Sequence, residues 1–337
     1  MNHIPIVAIS DDKLSFALGT LFTNLVLVKK STTFYEFFAI LSPDTSKENI
    51  YKIKQVQDMY PDECSVTIIQ MDDRFDKIPN GTGYIANACA YKMCIAEVLP
   101  FIDKIIYLDT DIVVFDDLTD LYNTDITDAY IGGVPSIEHY LTRRDLPDQL
   151  QIPDLSQYIN AGVMVMNLGK IRRDNIEKEL QSLIGTYHDS VDQHIFNRVC
   201  YGHIKLLSPK YNVFQSAEYL YTNDTILIGI TSQELASIKE HPVIYHYTDR
   251  PKPWKHFNLK YHLFWFRNFK QSPFSQTSLQ LSFCPNSVCR CTQMNEMYLS
   301  AKPAPIKWYK RLFSIDKKTI DKKRHTVIRV FGKEYVL

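Results

Sequence analysis

The sequence predicts an α/β fold with a mainly parallel, doubly wound central sheet. Short apolar runs alternate with longer amphipathic segments through the first third of the chain, which is the pattern of strands joined by crossover helices. The apolar runs contain few polar positions, as expected for strands buried on both faces. With 337 residues, 45% of them hydrophobic, the chain can bury such a sheet in a large core.

Each predicted element follows from its local pattern. An apolar run of about four to eight residues predicts a strand, whereas a longer segment with apolar residues three or four positions apart predicts a helix. By this rule, strands are predicted at 4–9, 34–41, 65–69, 104–108, 112–115, 129–134 and 162–168. Helices are predicted at 16–28, 46–59, 84–99, 118–122, 176–184 and 193–199.

Two segments lack these periodicities. Residues 135–158 are polar and charged and contain Pro147 and Pro153, and a long segment of this kind inside a compact domain is often a functional lid. Residues 271–305 are rich in Ser, Gln, Asn and Pro, which is typical of a linker or a loosely packed extension. We therefore expect a first domain over residues 1–270 and an extension over residues 271–337.

The charge of the chain is unevenly distributed. The formal net charge is zero, but residues 302–334 carry eleven Lys or Arg against three Asp or Glu. The rest of the chain carries 27 basic against 35 acidic residues, so an acidic body is followed by a basic extension. Aromatic residues interleave with the basic ones, a composition that suits the anionic surface of a membrane. A solvated tail and a nucleic-acid-binding tail are the alternatives.

Composition and termini exclude several classes of protein. No run of about 18 apolar residues occurs, so we expect no segment that spans a bilayer. The first residues lack the charged and apolar regions of a secretory signal, from which we expect a cytoplasmic protein. Seven scattered cysteines, an odd number, favour reduced thiols over a disulfide framework. Cys284, Cys289 and Cys291 have no fourth ligand at a familiar spacing, which disfavours structural zinc.

Two carboxylates one residue apart follow the apolar run at 104–108. Residues i and i+2 of an extended chain point to the same side, so Asp109 and Asp111 can converge on one object. Two like charges at the end of a buried strand need a cation or a shared proton, and oxygen ligands favour Mg²⁺ or Mn²⁺. An isolated Asp-x-Asp pair is more often a turn or a cap, but the end of a strand is where open α/β sheets bind ligands.

Further polar side chains lie beside predicted elements. Each has a plain alternative role, because a carboxylate before a helix commonly caps it and a single histidine is more often structural than a ligand. Their occurrence together favours a binding site. The residues concerned are Asp11, Asn160, Asp192, Gln193, His246 and, six positions after the histidine, Lys252.

The combination of motifs resembles the retaining glycosyltransferases of family 8, which include bacterial lipopolysaccharide galactosyl- and glucosyltransferases and glycogenin. The resemblance covers residues 4–260, over which the motifs occur in the order expected for the family. Several motifs in that order are more specific evidence than any one motif alone. It implies a GT-A fold, a Rossmann-like arrangement that binds nucleotide sugars, here followed by a basic extension. The matching motifs are Asp109-Thr110-Asp111, Tyr158-Ile159-Asn160-Ala161-Gly162, Asp192-Gln193, and His246 with Lys252-Pro253-Trp254.

The resemblance implies roles for the matching residues. It implies that Asp109, Asp111 and His246 hold Mn²⁺, with Mg²⁺ as the alternative, against the diphosphate of a UDP-sugar. It further implies that Lys252 adds positive charge at the phosphates and that Asp11 contacts uracil and ribose. The donor sugar and its surroundings would be bound by Lys92, Asn160, Asp192 and Gln193.

Asp192 and Gln193 lie where the family's debated catalytic groups are found. Retention of configuration requires either two displacements or front-face attack in which the leaving phosphate accepts the proton of the acceptor. An amide is a poor nucleophile, so we expect front-face attack with Gln193 stabilising an oxocarbenium-like centre.

The sequence departs from the family pattern at several positions. Lys92 stands where the family usually has an arginine, which keeps the charge but loses the bidentate fork. Asp249 replaces the usual glycine, Leu14 an aromatic residue that often stacks on uracil, and His194 an acid. Glu138, in the predicted lid, aligns with a donor-contacting acid.

These expectations combine into one functional hypothesis. The chain is expected to be a Mn²⁺-dependent retaining hexosyltransferase that moves galactose or glucose from UDP to a lipopolysaccharide or lipooligosaccharide acceptor, forming an α linkage. The extension over residues 271–337 would associate it with the inner face of the membrane, and nucleic acid is not expected as a partner. The alternatives are a UDP-sugar-binding protein without turnover, or a transferase that acts on a protein or another glycan.

Overall fold

The structure is a computed structural model. It describes residues 1–75, 87–187, 191–214, 238, 240–284, 313–320, 323–330 and 333–336. The chain divides into two compact units, Met1–Ser287 and Val288–Leu337. The roles expected for residues 1–270 and 271–337 stay predictions.

The elements are numbered here along the described chain. The strands are β1 (Asn2–Ser10), β2 (Thr33–Leu41), β3 (Cys64–Gln70), β4 (Lys104–Leu108), β5 (Ile112–Val114), β6 (Ile131–Pro135), β7 (Ile159–Asn167), β8 (Ile204–Leu206), β9 (Val213–Phe214), β10 (Ile244–His246), β11 (Phe313–Ile320), β12 (Lys323–Val330) and β13 (Lys333–Val336). The α-helices are α1 (Ser15–Val28), α2 (Lys47–Met59), α3 (Ile95–Val98), α4 (Thr119–Tyr122), α5 (Ile137–Thr142), α6 (Leu146–Leu150), α7 (Leu168–Arg173), α8 (Ile176–Ser182), α9 (Val191–Val199) and α10 (His262–Gln271).

A seven-stranded sheet forms the centre of the first unit, in the order β3-β2-β1-β4-β7-β6-β8. The four strands from β3 to β4 are parallel to one another, whereas β7 runs antiparallel to both β4 and β6. The prediction of an α/β fold with a mainly parallel sheet is confirmed. The carboxyl ends of β1 and β4 therefore lie beside the amino end of β7, at the sheet edge where such folds bind ligands.

A second, smaller sheet has the order β5-β10-β9. Strand β10 pairs antiparallel with β5, which places His246 opposite Ile112, and parallel with β9, which places His246 opposite Phe214. This sheet is fastened to α1 by the buried Asn24, whose side-chain amide donates to the carbonyl of Val114 and accepts from its N–H, both at 2.8 Å. The strand that follows Asp111 is thus held in place by the first helix.

The helix predicted at 84–99 differs from the observed structure. Asn87–Cys94 form a 3₁₀ helix, and the α-helix is limited to α3. Tyr91, Lys92, Met93 and Cys94 are consecutive and all buried, so this segment is enclosed on every side instead of presenting one apolar stripe. Residues 84–86 of the prediction lie outside the described residues.

The predicted lid at 135–158 contains two short helices, α5 and α6. Leu146 and Leu150 of α6 are fully buried, so part of this segment belongs to the core. Its role as a lid stays a prediction.

Phe274, which follows α10 within the first unit, packs against α1. The ring of Phe274 is buried so close to α1 that a Cβ on Gly19 would lie 2.5 Å from it. Residues 285–312, which include the rest of the predicted linker, lie outside the described residues.

The second unit contains the antiparallel sheet β11-β12-β13. In the part of the chain that the structure describes, no helix combines the length and the apolar character needed to cross a membrane.

Candidate functional site

Asp109, Asp111 and His246 form one cluster at the edge of the central sheet. One ligand atom from each lies within 4.8 Å of the others. The Nε2 atom of His246 is 3.1 Å from Oδ1 of Asp111 and 3.7 Å from Oδ2 of Asp109. Two carboxylates and one imidazole are a donor set that suits a divalent cation, and these spacings leave room for one ion among them.

Strand pairing brings these three residues together. The backbone N–H of Asp109 donates to the carbonyl of Gly162 at 2.8 Å, which continues the pairing of β4 with β7. The carbonyl of Asp111 accepts from the N–H of Tyr247 at 2.9 Å, which continues the pairing of β5 with β10. The first aspartate is therefore positioned by the main sheet, and the second aspartate and the histidine by the small sheet.

Gly162 leaves the space that the cluster needs. A Cβ at this position would lie 2.2 Å from Cε1 of His246 and 2.7 Å from Oδ2 of Asp109. Any side chain here would push the imidazole or the carboxylate away. The arrangement of donor atoms around a residue without a side chain fits the cation that the sequence predicted for this site.

Two lysines meet the carboxylates of the cluster. Lys252 forms an ion pair with Asp111 at 2.7 Å and donates to the carbonyl of Tyr247. Burial alone would raise the pKa of Asp111, but the charges of Lys252 and His246 and their hydrogen bonds hold it well below its usual range. Lys92, only 5% exposed, forms an ion pair with Asp109 at 3.0 Å and another with Asp192. The structure thus joins Asp192, at the start of α9, to the Asp109, Asp111 and His246 cluster through Lys92.

Tyr107 also contacts the cluster, and the sequence analysis did not include it. Its hydroxyl donates to Oδ1 of Asp109 at 2.6 Å, and Lys92 lies over its ring. Burial raises the pKa of Tyr107 well above its usual value, and the charge of Asp109 raises it further, so the phenol stays protonated and remains a donor. Because Tyr107 and Asp109 are two residues apart, the alternation of a strand could have revealed this contact.

Asn160 and Gln193 are hydrogen-bonded beside the cluster. The Nδ2 of Asn160 donates to Oε1 of Gln193 at 3.0 Å, and the N–H of Ala161 donates to the same oxygen at 3.3 Å. The Nε2 of Gln193 donates to the hydroxyl of Tyr158 at 3.1 Å, and that hydroxyl lies 2.6 Å from Nδ1 of His194. The pair predicted to bind the donor sugar is therefore held by a buried polar network.

Asn212 was missed by the sequence analysis altogether. It is fully buried, its Nδ2 donates to Oδ1 of Asn160 at 3.0 Å, and its Oδ1 lies 3.0 Å from Nδ1 of His246. No local pattern marks it, since it follows the 3₁₀ turn Pro209–Tyr211 and only tertiary structure brings it to the site.

Asp11 lies at the carboxyl end of β1, the parallel neighbour of β4. Its Oδ1 accepts from the N–H of Leu14 at 2.8 Å and caps the 3₁₀ turn Asp12–Leu14, which is the plain alternative considered above. A contact of Asp11 with uracil and ribose stays a prediction.

Asp249, the departure from the family's glycine, lies near the cluster. Its half-burial raises the pKa of the carboxyl, the charge of Glu138 raises it further, and Lys252 and His246 act in the opposite direction. The structure therefore brings Glu138 of α5 close to the side of the site formed by residues 246–252.

Comparisons with known proteins identify the family of the chain. The model of the family described as "Glycosyl transferase family 8" matches residues 5–258. A Haemophilus influenzae protein named "Putative glycosyltransferase" is 25% identical over 221 residues, and the match spans 64% of this chain and 63% of that protein. General stress protein A of Bacillus subtilis is 21% identical over 259 residues, 74% of this chain and 86% of that protein.

Solved structures show the same fold. The galactosyltransferase LgtC, in complex with donor and acceptor sugar analogs, superposes with a TM-score of 0.66 at 21% identity, covering 82% of this chain and 97% of LgtC. The bifunctional glycosyltransferase WbbM gives a TM-score of 0.67 at 19% identity, covering 81% of this chain and 50% of WbbM. The fold is that of the GT-A glycosyltransferases, as the family resemblance implied. The chain belongs to glycosyl transferase family 8.

Proposed function

We propose that the protein is a Mn²⁺-dependent retaining hexosyltransferase that moves galactose or glucose from a UDP-sugar to a hydroxyl of a lipopolysaccharide or lipooligosaccharide. The observation that carries the proposal is the contact between two groups of residues. The Asp109, Asp111 and His246 cluster lies beside the Asn160–Gln193 pair, and Asn212 touches both. A site for a metal diphosphate next to a site for sugar hydroxyls is what transfer from a nucleotide sugar requires.

The charged side chains would together hold the metal ion and balance the negative charge of the diphosphate. Asp109, Asp111 and His246 would hold the metal ion, which when bound supplies Lewis-acid stabilisation of the departing UDP. Lys252, 17% exposed and within reach of Asp111, would supply a further positive charge to the phosphates. Lys92 balances the charges of Asp109 and Asp192 from the buried side.

The geometry of Gln193 favours front-face attack over a double displacement. Its Oε1 accepts hydrogen bonds from Asn160 and from the N–H of Ala161, which lowers the nucleophilicity of an already poor nucleophile. The amide dipole would stabilise an oxocarbenium-like centre, and the leaving phosphate would accept the proton of the acceptor hydroxyl. A sugar adduct trapped on a side chain and found by mass spectrometry would contradict this route.

The basic extension would bring the enzyme to its acceptor. Residues 302–334 carry eleven Lys or Arg, and each basic residue near an anionic leaflet adds about 1 kcal/mol of attraction. We place the enzyme in the cytoplasm, at the inner face of the membrane where a glycolipid acceptor would be exposed. Replacing Lys317, Lys318 and the triplet 322–324 by glutamine should release the protein from vesicles that contain anionic lipid, and unchanged binding would contradict this placement.

The alternatives differ in turnover and in acceptor. Asp249 is half-buried at a position where the family has glycine. This departure from the family pattern favours a protein that binds UDP-sugar without turnover. A protein or another glycan in place of the lipid-linked acceptor would leave the donor site unchanged.

UDP release from a panel of UDP-sugars, with Mn²⁺ or with EDTA, tests the proposal. Metal-dependent release from one UDP-hexose, lowered at least about a hundredfold in Asp111→Asn, would support it, since a bound metal contributes several kcal/mol to such a transition state. The Asp120→Asn variant, an exposed carboxylate on α4, is the matched control and should release UDP as the wild type does. Binding of UDP without release, also in the presence of a lipooligosaccharide extract, would favour the binder.

A further inference from the structure

We infer that Asn212 is a positioning residue that orients the metal-binding histidine and the sugar-binding amides as one unit. The inference rests on the proposed function and adds to it a residue that no motif contains. Asn212 is fully buried, and each end of its side-chain amide contacts a different part of the site.

Two backbone N–H groups determine which way the amides point. The N–H of Gly162 donates to one side-chain atom of Asn160 at 3.0 Å, so that atom is the carbonyl oxygen Oδ1. The N–H of Ala161 likewise identifies Oε1 of Gln193, and Asn160 must then present its NH₂ group to that oxygen. A backbone N–H group can only donate, so the side-chain atom that faces it must be the amide oxygen. This fixes the orientation of both amides.

The same logic extends to Asn212 and His246. Because Oδ1 of Asn160 is an acceptor, Asn212 must present its NH₂ group to it, and its own Oδ1 then lies 3.0 Å from Nδ1 of His246. Nδ1 therefore carries a hydrogen, and in the neutral imidazole, the form that binds a metal ion, the lone pair belongs to Nε2, which points at Asp111 and Asp109. An imidazole nitrogen with a lone pair directed at two carboxylates is arranged to bind a cation between them.

A chain of hydrogen bonds thus runs from the backbone of β7 through Asn160 and Asn212 to His246. In this chain of hydrogen bonds, Asn212 connects Asn160 of the main sheet with His246 of the small sheet. Residues that hold a metal-binding histidine in this way typically change metal affinity or activity by about 10- to 100-fold when they are replaced.

Two substitutions separate the two contacts. Asn212→Ala removes both, and Mn²⁺ affinity, measured by electron paramagnetic resonance of the free ion without nucleotide, should fall about 10- to 100-fold. Asn212→Asp keeps an acceptor for Nδ1 of His246 but places an oxygen against Oδ1 of Asn160. It should therefore keep Mn²⁺ and UDP affinity near wild type, while kcat/KM for the UDP-hexose falls about tenfold or more.

The matched control is Asn258→Ala. Asn258 is a buried asparagine with two backbone hydrogen bonds, to the carbonyl and the N–H of Cys284, and its loss should lower the melting temperature without changing Mn²⁺ affinity. Mn²⁺ affinity that follows melting temperature across the three variants would overturn the inference, as would equal loss of Mn²⁺ affinity in Asn212→Asp and Asn212→Ala. A wild-type protein that binds Mn²⁺ but transfers no sugar would defeat the proposed function and leave the metal-binding test of Asn212 intact.

Discussion

The backbone N–H of Asp109 donates to the carbonyl of Gly162 over 2.8 Å. This hydrogen bond joins the residue that follows β4 to a residue of β7, four positions after the predicted lid ends at Tyr158. Because β7 is antiparallel to β4, the beginning of one meets the end of the other, and Asp109 comes to lie opposite Gly162. One hydrogen bond thus connects two sequence motifs.

Gly162→Ala should weaken metal binding. The added Cβ would lie 2.2 Å from Cε1 of His246, and the imidazole or the strand must move to admit it. Overpacking of this kind destabilises a protein by about 1–3 kcal/mol, and the displaced histidine should lower Mn²⁺ affinity at least about tenfold. Isothermal titration with Mn²⁺, together with denaturant unfolding, measures both effects.

Gly132→Ala is the matched control for this substitution. Gly132 lies on β6 of the same sheet, and its Cβ would meet the end of the Leu207 side chain at 3.3 Å, which can move slightly to make room. Its Mn²⁺ affinity should equal that of the wild type. Wild-type Mn²⁺ affinity in Gly162→Ala would show that the histidine does not need this space.

Lys92→Met should destabilise the fold. Lys92 is almost fully buried and pairs with Asp109 and Asp192, so its removal leaves two partly buried carboxylates without their positive partner. Breaking a buried ion pair in this way typically costs about 3–5 kcal/mol, which chemical denaturation at neutral pH would measure.

The double variant Lys92→Met with Asp192→Asn tests the physical reason. Neutralising Asp192 removes part of the uncompensated charge, so the double variant should be more stable than Lys92→Met alone. If both are equally destabilised, the loss does not come from the uncompensated charge of Asp192.

His262 should make the fold sensitive to mild acid. Burial lowers the pKa of His262 from 6.5 to about 4, and its Nδ1 donates to the carbonyl of Pro253 next to Lys252. In the unfolded chain the histidine takes up a proton below about pH 6.5, whereas the folded protein does not until about pH 4. The free energy of unfolding should therefore fall as pH decreases through this window, by about 2 kcal/mol between pH 7 and pH 5.

His262→Gln removes the titrating ring and keeps an N–H donor for Pro253. Denaturant unfolding of both proteins at pH 7 and pH 5 isolates the contribution of His262, since the other titrating groups are common to both. The variant should lose less stability on acidification, and an equal loss in the two proteins would refute the assignment.

The sequence by itself determined the order of most elements and the residue types of the site. Apolar runs and amphipathic segments depend on neighbours a few positions away, so β1, α1, β2, α2 and β4 could be predicted close to their observed bounds. The Asp-x-Asp pair could be predicted as a cation site for the same reason, since its geometry is set within one extended segment. The family resemblance supplied the remaining candidates, and the match over residues 5–258 confirms the family.

Only the tertiary structure decided how these side chains are held. Tyr91 to Cys94 belong to a 3₁₀ helix, and their enclosure arises from elements that surround this segment in space. The ion pairs of Lys92 and the amide of Asn212 likewise depend on which strands pair and in which register. The physical reason is range: periodicity and turn chemistry act over a few residues, whereas a buried polar group finds its partners among segments far away in the chain, and no local pattern records them.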